Sequence, residues 1–66
     1  MRVVFKIGDA VELQLNDGCR TFTLHELAFV PSVGDRVVVA QTGEKGTVTH
    51  RLVDYCAGTI TIYVQT

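Results

Sequence analysis

The sequence predicts a small all-β domain, a single-domain barrel or strongly curled antiparallel sheet of five to six strands. Three observations carry this expectation. Apolar and polar residues alternate along most of the chain, β-branched residues gather in short runs, and Gly, Asn and Asp turn signals recur at roughly ten-residue intervals. A helical period of apolar residues is not seen, so no helix is expected.

Residues 2–7 alternate with Val3, Phe5 and Ile7 on one side and Arg2, Val4 and Lys6 on the other, which predicts a half-buried first strand. Gly8 and Asp9 end it. Val11, Leu13 and Leu15 alternate against Glu12, Gln14 and Asn16, so a second strand, antiparallel to the first, is expected there. Asn16-Asp17-Gly18 reads as a hairpin turn, because these residues tolerate left-handed backbone. A third strand over residues 19–25 would turn Phe22 and Leu24 inward and Thr21, Thr23 and His25 outward. Residues 26–31 break the alternation. Pro31 lacks a ladder donor, so this piece reads as an extended crossing or a short turn whose apolar residues still need burial.

Residues 33–52 form the best-defined stretch. Gly34-Asp35 opens a turn, Val37-Val38-Val39 makes a strand, Gly43 and Gly46 offer positive-φ turn positions, and Thr47-Val48-Thr49 resumes alternation. Residues 53–58 read as a loop closing on Gly58. Residues 59–65 read as the last strand, with Ile60, Ile62 and Val64 inward.

The whole of residues 1–66 is expected to form one β-barrel domain with a modest core, and so short a chain usually needs a disulfide, a metal or oligomerisation for support. Cys19 and Cys56 allow one bridge at most and have no CxxC spacing, and no stretch has the make-up of a secretory leader. They read as reduced thiols in a cytoplasmic protein. His25 and His50 lie far apart and at no ligand spacing to the thiols, so no metal or other cofactor is expected. Oligomerisation remains. A net charge of −1 with mixed signs along the chain lacks the footprint of a strong nucleic-acid binder, and no apolar run is long enough to span a membrane.

No nucleophile has a recognisable base, and the carboxylates Asp9, Glu12, Asp17, Glu26, Asp35, Glu44 and Asp54 fall in turns or at outward positions. No catalytic residue is assigned. His50 shares the parity of Val48 and Leu52, which by alternation alone would turn it inward at the barrel end, and the His25-Glu26 neighbours would point to opposite faces of a strand; both histidines are read as surface residues.

The Gly34-Asp35-Arg36-Val37 strand start, its polar loop and the Gly46-Thr47-Val48 return resemble the opening hairpin of SH3-like barrels, as in KOW, Tudor-like and CAP-Gly modules. With Tyr55-Cys56 and Ile60-Thr61-Ile62-Tyr63 added, the chain is also similar to the plasmid-borne type II dihydrofolate reductases, which would imply a related barrel and an oligomer. That family's pore lysine and glutamine are replaced here by Val39 or Ala40 and by Thr61, so the resemblance does not carry reductase activity to this chain. Residues 29–35 also resemble small bacterial proteins carried on phages, integron cassettes and other mobile elements.

The outward parity supplies the functional expectation. Val4, Val38, Ala40, Val53 and Tyr63 would all face outward, an apolar set that a monomer leaves wet. The reading is a non-catalytic binding or assembly module that self-associates through its outer sheet face, with a second protein as the other candidate partner. A weak single-stranded nucleic-acid binder comes next, and a remnant of a small oligomeric pore-type enzyme third.

Overall fold

The computed structural model describes residues 2–25, 29–39 and 43–66. Five strands, β1 (Arg2–Gly8), β2 (Arg20–Leu24), β3 (Arg36–Val39), β4 (Glu44–Asp54) and β5 (Thr59–Gln65), and one helix, α1 (Ala10–Leu15), make up the described elements. The sheet order is β2-β1-β5-β4-β3. It curls through about 240° into a half-barrel, consistent with SH3-like architecture in general.

The all-β expectation holds in its main lines. β1, β5 and the β3–β4 hairpin lie where alternation placed them, with Val3, Phe5, Ile7, Val48, Ile62 and Val64 buried as one cluster. Phe22, Val30, Val37, Val39 and Ile60 pack against it, half-buried. Complete burial of a side chain such as Ile7 or Ile62 stabilises by roughly 1.5–3 kcal/mol.

The sheet is mixed and not purely antiparallel. β1 pairs antiparallel with β2 but parallel with β5, in the register Val3↔Ile60, Phe5↔Ile62 and Ile7↔Val64. This parallel pair puts the three deepest residues of β1 against the three inward residues of β5, which assembles the core.

The expected second strand is the helix α1. Asp9 is its N-cap: its Oδ1 accepts the Glu12 N–H at 2.8 Å, and the Glu12 carboxylate accepts the Asp9 N–H at 2.9 Å. This reciprocal capping box satisfies two otherwise orphaned donors. Asn16 ends the helix in left-handed conformation, φ 53°, so the Asn16-Asp17-Gly18 signal marks a helix end and not a hairpin between strands. Only Leu13 of the helix is buried, and the alternation of Val11 and Leu15 with polar residues corresponds to no buried face. Leu24, expected inward, is 42% exposed at the rim.

Gly43 takes the positive φ expected of it, 73°, in the β3–β4 turn. Gly46 does not. It lies within β4, where a Cβ would stand 2.6 Å from both the Gln65 carbonyl oxygen and Val64 Cγ1. Glycine is needed there for close approach of β4 to the end of β5.

β4 runs further than expected, through Val53 and Asp54, before the Tyr55–Gly58 turn, in which Asp54 Oδ1 accepts the Ala57 N–H at 3.0 Å. The edge strand β2 and the start of β4 are linked at one mouth of the half-barrel by an ion pair. Arg20 Nε on β2 lies 2.6 Å from Glu44 Oε1 on β4, and its Nη1 lies 3.6 Å from Glu12 Oε1 on α1.

Candidate functional site

Opposed residues on adjacent strands share a face, so the register defines the outer surface of the sheet. A β-bulge decides its composition. The β4–β5 register shifts between Val48 and His50: Val48 pairs with Val64, His50 with Tyr63, Leu52 with Thr61 and Val53 with Ile60. Thr49 is the extra residue, and the parity of β4 reverses beyond it. His50 therefore lies on the outer face and is exposed, not turned inward with Val48.

Two rows cross the centre of this face. One runs His50, Tyr63, Lys6, Thr21; the next runs Leu52, Thr61, Val4, Thr23. The His50 ring stacks on the Tyr63 ring with centroids 4.0 Å apart and planes 14° from parallel. Thr49 Oγ1 lies 3.0 Å from His50 Nδ1 and donates to the Tyr63 carbonyl at 3.4 Å.

Charge is divided unevenly between this face and the rest of the molecule. Arg2, Lys6, Arg36 and Lys45, four of the six Lys and Arg residues, lie at outer-face register positions. Lys6 Nζ donates to Asn16 Oδ1 at 2.9 Å and Arg2 Nη2 to Thr59 Oγ1 at 3.5 Å, both neutral acceptors. Among the described residues none of these four cations has a carboxylate partner. The described carboxylates sit elsewhere. Asp9 caps α1, Glu12 and Glu44 hold Arg20, Asp35 Oδ2 accepts the Ser32 N–H at 2.8 Å, and Asp17 follows the helix; only Asp54 shares the face, at its far end. Arg51 lies in the inward row of Ile62 and donates to the Pro31 carbonyl at 3.3 Å.

The residues expected to form an outer apolar set are placed as follows. Val4 and Tyr63 are half-buried near the centre of the face. Val38 is 63% exposed on β3, opposite Lys45 and away from those two. Val53 shares the row of Ile60 on the inner side, 39% exposed at the rim, and Leu52, 56% exposed, takes the outward position. Ala40 lies outside the described residues, as does Glu26, the neighbour of the exposed His25. Cys19 is half-buried with its thiol directed to the Glu12 carbonyl at 3.4 Å, and Cys56 is exposed; the two are not bonded to each other. Among the described residues no three His, Cys, Asp or Glu side chains gather as metal ligands, and no helix is long and apolar enough to cross a membrane.

Sequence reasoning missed the stacked pair and the charge division. Thr47-Val48-Thr49 alternates without interruption and gives no sign of the bulge that brings His50 to Tyr63. No family model matches the sequence, and comparison with curated proteins and with solved structures gives no significant match.

Proposed function

We propose that this protein is a non-catalytic binding module that takes single-stranded nucleic acid across its outer sheet face in the cytoplasm. One observation carries the reading: among the described residues, four cations without a carboxylate partner surround a stacked His50–Tyr63 platform on a face with a single carboxylate. Sequence-tolerant single-strand binding needs these two things, positive charge that follows the phosphates and aromatic faces on which bases stack. Thr21, Thr23, Thr59 and Thr61 add hydroxyls to the same surface. The overall charge of −1 does not oppose this, because the phosphates meet the local field of the face and the carboxylates sit mainly at the mouths and turns.

Fluorescence anisotropy with a labelled oligothymidylate over a salt series tests the reading. Neutralisation of up to four phosphates gives a log–log salt slope of up to about −3, at roughly −0.7 per contact for a single strand. Tyr63→Ala should weaken binding by about 5- to 150-fold, the equivalent of roughly 1–3 kcal/mol per stacked base. Absence of binding at low salt, or binding indifferent to salt, refutes it.

Self-association is the second reading, and a different observation favours it. Leu24 and Val53, in the inner row of Val3 and Ile60, are exposed at the rim of a molecule with seven buried apolar residues among those described. Assembly through this rim would leave the cationic face open. Light scattering over a concentration series separates the cases, and a monomeric mass throughout removes the assembly reading.

A further inference from the structure

Beside Val38, a groove of about 500 Å³ opens between the β3–β4 hairpin and the end of β5. Arg36, Val38, Lys45, Thr47, Gln65 and Thr66 line it, and among the described residues no Asp or Glu side chain does. Arg36 stands opposite Thr47 and Lys45 opposite Val38, so the two cations are diagonal neighbours across the hairpin. Gly46, with no side chain, lets β4 close on the Gln65 carbonyl, which draws this hairpin against the end of β5.

We infer that this groove is a phosphate-binding subsite, held by Arg36 and Lys45. The guanidinium offers a planar fork of donors that matches two phosphate oxygens, the ammonium adds a compact charge, and the Thr47 hydroxyl and Gln65 amide can donate to the remaining oxygen. Gln65 is the next outward residue after Tyr63, about 7 Å along β5 at a strand's rise per residue. A base stacked on the His50–Tyr63 pair therefore has a neighbouring phosphate within reach of the groove. This step rests on the nucleic-acid reading. The chemistry recognised, a phosphate group, is shared by a polynucleotide backbone and by a small phosphorylated molecule.

The test is a two-dimensional amide NMR titration of the full chain with inorganic phosphate and, separately, with oligothymidylate, repeated on Lys45→Gln and Arg36→Gln. Thermal melting of both variants confirms that they fold. Phosphate should move the Thr47 and Gln65 amides. The oligonucleotide should move these together with His50 and Tyr63, and each variant should lower affinity by about 3- to 10-fold and the steepness of the salt slope by roughly 0.7. Oligonucleotide binding whose affinity and slope both variants leave unchanged overturns the groove while keeping the face. Groove shifts with phosphate but no oligonucleotide binding keep the groove as a site for a small phosphorylated molecule and overturn the nucleic-acid reading.

Discussion

Gly46→Ala is the substitution with the sharpest structural consequence. The added Cβ would lie 2.6 Å from the Gln65 carbonyl oxygen, 2.6 Å from Val64 Cγ1 and 2.9 Å from the Gln65 carbonyl carbon. A valine methyl can rotate away, but two of these three atoms are backbone of β5, so relief requires β4 to move off the strand it is paired with. Overpacking of this kind costs typically 1–3 kcal/mol, and the backbone contacts place Gly46→Ala near the upper end. A 66-residue chain has a total stability of about 3–10 kcal/mol at the usual 0.05–0.15 kcal/mol per residue, so a third or more of it should go. At about 4–8 °C per kcal/mol for a domain of this size, the thermal midpoint should fall by roughly 10–25 °C. Thermal and urea unfolding followed by circular dichroism measure this directly. Gly43→Asn is the control: a Cβ there meets nothing within 4 Å, and asparagine tolerates a φ of 73°. Adding Val64→Ala to Gly46→Ala should restore little, because the Gln65 carbonyl remains in the way. A Gly46→Ala midpoint within a few degrees of the parent would refute the close approach.

Ile62→Ala, in the fully buried centre of β5, should cost about 2–5 kcal/mol in urea unfolding, and a loss below 1 kcal/mol would contradict its place in the core. Asp9→Ala removes half of the capping box and should cost about 1 kcal/mol, with faster amide exchange confined to α1. Arg20→Met should release the β2 mouth from Glu44, read as faster amide exchange in β2 while β5 is unchanged; equal protection in both would contradict the ion-pair link. The Arg20 guanidinium is held above its usual range, chiefly by its hydrogen bond to Glu44. A raised pKa stabilises the fold wherever the group is protonated, so this contribution persists below the ordinary guanidinium range and is lost only as pH rises through it. Stability that fell between pH 7 and 10 in the parent but not in Arg20→Met would contradict that sign.

Strands with a period of two over buried residues were legible in the sequence, and β1, β5 and the hairpin of β3 and β4 lie where alternation put them. The helix was not, because a six-residue segment with Val11, Leu13 and Leu15 satisfies the strand pattern as well, and only Leu13 has a buried face. The discriminating signal was Asp9-x-x-Glu12, a capping box three residues apart. Parallel pairing of β1 with β5 has no local signature, since its partners are more than fifty residues apart. The candidate site was hidden for a related reason. Asp35 adjoins Arg36 and Glu44 adjoins Lys45, so charge cancels when read along the chain. Adjacent strand residues point to opposite faces, and folding therefore separates Glu44, which joins Arg20 at the barrel mouth, from Lys45, which joins Arg36 outside.

The most direct test of the outer face is the oligothymidylate affinity of the parent and of Tyr63→Ala, measured by anisotropy between about 25 and 200 mM salt, a range over which screening changes strongly. The account predicts salt-dependent binding by the parent and a large loss in Tyr63→Ala with little change of slope, because stacking and charge are supplied by different residues. Equal binding by both proteins, or none by the parent at the lowest salt, would contradict it.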